Sequence, residues 1–151
     1  MPYTYTVTSR SPAHPETVFA VLVRAGTWPS WSPIDDAAVE GGGDPLEPQQ
    51  VGDTRIFRTG RTVARERVVE LVPGRRFGYV NDGGVFRSYR GTVELTPVPH
   101  GGTDITWSAV FEPGLPLSGP FWRWYLTRFM GRMAEGLATY AGAVPDRDTA
   151  S

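Results

Sequence analysis

The stretch Thr103-Asp104-Ile105-Thr106-Trp107-Ser108-Ala109-Val110-Phe111-Glu112-Pro113, taken with residues 114 to 142 after it, decides the architecture. Up to Glu112, apolar and polar residues alternate, so Ile105, Trp107, Ala109 and Phe111 share one face of a strand. After Pro113 the period becomes helical: Trp122, Leu126, Phe129, Met130, Met133, Leu137 and Tyr140 fall on one broad face, with Arg128, Arg132 and Glu135 opposite. Ser118-Gly119-Pro120 is the expected start, and the helix is expected to run to about Gly142.

Moving towards the N-terminus, the period stays at two. Thr54 to Thr59, Thr62 to Val72, Arg75 to Asn81 and Val85 to Pro97 read as strands. Gly60, Pro73-Gly74, Asp82-Gly83-Gly84 and His100-Gly101-Gly102 separate them as turns. Links this short join antiparallel neighbours, because parallel pairing needs long crossovers. Residues 34 to 52 carry three consecutive glycines and two prolines and predict an irregular connection, with at most a weak strand near Ala37 to Glu40.

The chain opens with an alternating strand, Tyr3 to Ser9. Pro15 suits a first helical position and Glu16 its dipole; Val18, Phe19, Leu22 and Val23 form one face, and Gly26 is expected to end the helix. Trp28-Pro29-Ser30-Trp31-Ser32-Pro33 predicts a second short helical turn stopped by Pro33. The expected class is α+β: an antiparallel sheet of about seven strands, two short helices after the first, and a long C-terminal helix. One domain is expected over residues 1–144, with a frayed tail over 145–151.

Composition narrows the function classes. Apolar residues make up 40% and charged residues 21%, which predicts a folded chain. A formal net charge of -1 argues against electrostatic binding of nucleic acid. All 15 basic residues are arginine, so Schiff-base chemistry lacks its lysine, and the absence of cysteine excludes disulfides and thiolate chemistry. His14 and His100 sit in separate loops without metal-ligand neighbours, so no metal and no cofactor is expected. The N-terminus Met1-Pro2-Tyr3-Thr4-Tyr5 lacks a basic flank and an apolar core, so no signal peptide is expected; no apolar run is long enough for a membrane span, and a cytoplasmic location is expected by default.

The order of elements resembles the START-like helix-grip superfamily (SRPBCC), in particular its bacterial polyketide cyclase/dehydrase-like branch. Pro15-Glu16-Thr17-Val18-Phe19, Trp28-Pro29-Ser30-Trp31, Val51-Gly52-Asp53, Arg65-Glu66-Arg67-Val68, Pro73-Gly74-Arg75 and Gly102-Thr103-Asp104-Ile105-Thr106-Trp107 carry the likeness over nearly the whole chain. The resemblance implies a curved sheet gripping the final helix around an apolar cavity of ~300–1,000 Å³. It also implies a hydrophobic ligand, of aromatic, polyketide or lipid kind. The fold hosts carriers, cyclases and interaction modules alike.

Alternation supplies the candidate lining. Phe77 and Tyr79 form one set, Val85, Arg87, Tyr89, Val93 and Leu95 another, and Trp107 and Phe111 belong to the last strand. If Val69 and Leu71 point inward, so do Arg65 and Arg67; they then reach solvent at the sheet edge, are flipped outward by a one-residue bulge, or hold an anionic or oxygen-rich ligand group. Glu66 and Glu70 have the opposite parity and are expected in solvent. Trp28 and Trp31 are expected at the cavity mouth, and Trp122, Leu126, Phe129 and Met133 on the helix above it. Trp124 falls near the polar face, which marks a cavity rim or a self-association surface that would form a homodimer.

The resemblance to aromatase/cyclases places Arg67 at their pocket arginine and Trp28 at their ligand-stacking tryptophan. Asp35 stands where they carry a pocket tyrosine, and Arg65 where they carry a serine. A cyclase reading would use Arg67 and Tyr89 as donors to an enolate oxygen and Asp35 as base. The other readings are a binder without turnover and a protein-interaction module with a vestigial cavity.

Overall fold

The computed structural model describes residues 2–144; the expected tail over 145–151 lies outside the described residues. Seven strands form one antiparallel sheet: β1 (Tyr3–Ser11), β2 (Asp36–Val39), β3 (Thr54–Thr59), β4 (Thr62–Val72), β5 (Arg76–Asn81), β6 (Phe86–Pro97) and β7 (Thr103–Pro113). Their order is β1-β7-β6-β5-β4-β3-β2, so the first strand closes against the last and the rest form a meander. From β3 onward each meander link is short, as the glycine signals require.

Helix α1 (Pro15–Leu22) follows β1, and α2 (Gly119–Ala143) ends the described chain. The curved sheet wraps α2, the helix-grip arrangement. Leu126, Met130, Met133, Ala134, Leu137, Ala138 and Ala141 form its buried face. The small residues on that face let α2 approach β1, where the Ser11 hydroxyl donates to the Ala138 carbonyl at 2.8 Å.

Helix α1 stops at Leu22, not at Gly26. A 3₁₀ run over Ala25–Ser30 follows, with Pro29 inside it, in place of the turn expected over Trp28 to Pro33. The cause is Trp28: the tight turn buries its ring and brings its indole N–H to the Leu22 carbonyl at 3.2 Å.

Two irregularities decide which side chains face the helix. On β4 the register slips between Val68 and Glu70. One residue is left over, so Ala64, Glu66 and Val68 face inward before the slip and Leu71 after it. On β6 a slip between Phe86 and Ser88 turns Phe86 and Tyr89 inward and leaves Arg87 exposed.

Candidate ligand-binding site

Between the inner face of the sheet and the first half of α2 lies a cavity of ≈ 430 Å³. The helix contributes Trp122, Leu126, Phe129, Met130 and Met133. The opposite wall is aromatic: Trp28, Phe57, Tyr79, Tyr89 and Trp107. Val85, Phe86, Phe121 and Tyr125 gather where β6 meets the start of α2, and Val85, Phe121 and Tyr125 are exposed there, which makes this the rim. A depression of ≈ 700 Å³ runs along the outside between His14 and the start of α1, the Pro73–Arg75 turn and the end of β6, but it has no phenyl, phenol or indole ring in its lining.

The aromatic wall carries a cluster of phenols. Tyr5 and Tyr89 share a hydroxyl–hydroxyl hydrogen bond, and Trp107 donates its indole N–H to the Tyr79 hydroxyl at 3.0 Å. Tyr79 and Tyr89 stack with ring centroids 6.1 Å apart. Gly91, opposite Tyr79 across the β5–β6 ladder, leaves the space the Tyr79 ring fills; a Cβ there would collide with it. Burial pushes all three phenols above the ordinary tyrosine range, so they stay protonated and remain hydrogen-bond donors.

Beside the phenols is a buried ion pair. Arg55 on β3 is fully buried, and its guanidinium carbon lies 4.4 Å from the centroid of Trp28 and 4.6 Å from that of Phe77. It donates to the Leu22 carbonyl at 2.7 Å, capping the end of α1, and to the Glu66 carboxylate at 3.3 Å. Arg55 and Glu66 are direct partners across the β3–β4 ladder. Glu66 lines the cavity; Arg55 sits behind it. Burial raises the Glu66 carboxyl above its usual range, with Arg55 pulling the other way. Asn81, opposite Glu66 on β5, also lines the cavity, and its Oδ1 is buried without a hydrogen-bond partner among the described residues.

A family model described as polyketide cyclase / dehydrase and lipid transport matches residues 3–142. The chain belongs to this polyketide cyclase/dehydrase family. No curated protein matches it by sequence. Solved structures carry the same START-like fold. A START superfamily protein from Mycobacterium smegmatis is 15% identical with a TM-score of 0.76, over 91% of this chain and 96% of that one. Protein XoxI from Bacillus cereus is 17% identical with a TM-score of 0.74, over 91% and 94%. Ara h 8.0201 is 16% identical with a TM-score of 0.70, over 93% and 98%.

Within this family member, the structure brings together Trp28, Tyr79, Tyr89, Trp107, Trp122, Leu126, Phe129 and Met133 around the cavity. Phe77, Phe111 and Trp31 are buried behind that wall: Phe77 under Arg55, Phe111 against Tyr89, and Trp31 4.8 Å from Trp28. Trp28 is a wall residue stacked on Phe57 at 4.8 Å, not a residue of the mouth.

The polar expectations are corrected. The bulge on β4 turns Arg65 and Arg67 to the outer face, where they pair with Glu40 and Asp82. Arg87 is exposed because of the slip on β6. Asp35 is exposed; its carboxylate accepts from the Gly60 N–H at 2.6 Å and stands 3.8 Å from Arg58. The cyclase-type assignment of Arg67 and Asp35 to the pocket therefore fails on placement. Glu66, expected in solvent, takes the inner position instead. Arg55 and Asn81 are site residues that apolar patterning passes over, although Asn81 shares strand parity with Phe77 and Tyr79. A signal for Arg55 does lie in the sequence, since it shares strand parity with Phe57.

Proposed function

We propose that this chain binds a hydrophobic, aromatic or polyketide-like small molecule in the cavity between sheet and α2. The observation that carries this is the ≈ 430 Å³ space walled by aromatic rings, with phenol donors on one side and an exposed aromatic rim as entry. A pocket of that size and character suits a ligand of a few fused or linked rings. The family description, which names cyclisation, dehydration and lipid transport, supports a ligand of hydrophobic kind.

One observation favours a second reading. Glu66 is an ionisable group facing the cavity close to protonated phenols. As a base it would take a proton from a carbon between two carbonyls of a poly-carbonyl substrate. A tyrosine O–H would hydrogen-bond the enolate oxygen while the carbanion closes a carbon–carbon bond onto a more distant carbonyl, whose π pair moves to its oxygen, and that alkoxide takes back the proton held by Glu66. Binding without turnover is the better-supported reading, because Arg55 ties Glu66 down as an ion-pair partner.

A thermal-shift screen with fatty acids, sterols, flavonoids and aromatic polyketides tests the proposal. A ligand at 100 times its Kd adds ~2.7 kcal/mol to stability. Chromatography of the ligand after incubation then separates the readings. Unchanged ligand supports binding, a cyclised product supports the enzyme, and no shift with any class sinks both and leaves an interaction module.

A further inference from the structure

Among the described residues lining the cavity, Glu66 alone is charged, and its partner Arg55 is sealed behind it. Directly across the β4–β5 ladder stands Asn81, whose buried Oδ1 has no partner among the described residues. A buried acceptor left unpaired costs free energy that a bound group can recover. Around these two side chains the cavity is mostly apolar or phenolic.

We infer that Glu66 and Asn81 form a receptor for a hydrogen-bond donor on the ligand, so that the site selects neutral ligands carrying a hydroxyl or N–H and rejects carboxylates. This deepens the proposed binding function and rests on it. Against the pull of burial, the Arg55 guanidinium 3.3 Å from one Glu66 oxygen favours the carboxylate, which offers only acceptor oxygens. The other accepts from the ligand, and Asn81 Oδ1 completes the cradle. A ligand carboxylate placed there would meet a like charge in a poorly solvated wall. The guanidinium that would attract it lies on the far side of Glu66. Arg65 and Arg67, the cations that would have favoured an anion, point away from the cavity.

The test compares three probes of one shape on the wild-type chain near neutral pH: naphthalene, 2-naphthol and 2-naphthoate. Affinities come from competition with a fluorescent apolar dye. The expected result is that 2-naphthol binds on the order of 10-fold tighter than naphthalene, a net hydrogen bond to a charged acceptor. 2-Naphthoate should bind more weakly than either. In Asn81→Leu, which leaves the Arg55–Glu66 pair intact, the ratio of 2-naphthol to naphthalene affinity should shrink several-fold. Equal affinity for naphthalene and 2-naphthol, or an unchanged advantage in Asn81→Leu, overturns the inference and leaves the binding function standing. Preference for 2-naphthoate overturns it and reverses the charge selection. Failure of all three to bind overturns the inference, and the thermal-shift screen then decides the binding function separately.

Discussion

Replacing Arg55 with Met tests the buried pair that organises one wall of the cavity. Met keeps an unbranched stem against Trp28 and Phe77 but removes both donor contacts. The Leu22 carbonyl still receives the Trp28 indole N–H at 3.2 Å, so its loss is partial. Glu66 loses its ion-pair partner. Removing one member of a buried pair costs about 3–5 kcal/mol. The Glu66 side chain retains 13% exposure, which puts the cost at the low end, about 3 kcal/mol. At roughly 2–4 °C per kcal/mol, Tm should fall by roughly 6–12 °C. Urea denaturation of Arg55→Met, Glu66→Gln and the double variant gives the coupling; the double variant should recover most of the loss, since neither charge then stands alone. The pH dependence has a defined sign. Burial already raises the folded-state pKa of Glu66, and without Arg55 nothing opposes burial. A carboxyl whose folded pKa exceeds its unfolded value favours the folded state most at low pH and loses that contribution as pH climbs from the unfolded towards the folded pKa. The deficit of Arg55→Met should therefore be small in acid and grow through and above the ordinary glutamate range. A variant as stable as its parent, or a deficit that does not change with pH, would refute the reasoning.

Other substitutions have equally specific outcomes. Trp107→Ala removes a fully buried ring packed 5.7 Å from Trp28 and takes the indole donor from Tyr79, so it should cost about 3–5 kcal/mol by chemical denaturation. Two glycines of α2 should respond in opposite directions. At Gly131 a Cβ meets nothing within 4 Å, so Gly131→Ala should raise stability by about 0.5–1 kcal/mol through helix propensity. At Gly136 a Cβ would collide with the Trp31 backbone carbonyl, so Gly136→Ala should lower Tm despite the same propensity gain.

The architecture is legible in the sequence because its signals are local and repeated. Strands β3 and β4 begin and end at the residues their alternation and flanking turns mark, and the change of period after Pro113 announces α2. The apolar lining is legible for the same reason: Tyr79, Tyr89 and Trp107 follow from strand parity, and Leu126, Phe129 and Met133 from helical spacing. The polar part is not, because parity fails at a bulge. Val68 and Leu71 both pack inward, so β4 supports two phases, and Leu71 extrapolated backwards puts Arg65 and Arg67 inside. Only the cross-strand register, which pairs Arg55 with Glu66, shows that the inner charges are a complementary pair from neighbouring strands. Burial of an arginine also runs against its usual preference, so composition offers no hint of it. The end of α1 is hard to place because Gly26 is a good stop signal while the real cause, the burial of Trp28, is tertiary.

The binding function stands or falls on whether a hydrophobic ligand occupies the space between the aromatic wall and α2. Ala64 lines that space from β4, and Ala64→Phe would fill it with a ring of the ligand's own kind. The most direct measurement is a calorimetric titration of wild type and Ala64→Phe with 2-naphthol, alongside the Tm of each chain. Wild type should show saturable one-to-one binding, and Ala64→Phe should lose it with Tm kept or raised. Equal binding to both chains would place the ligand elsewhere and remove this cavity as the binding site.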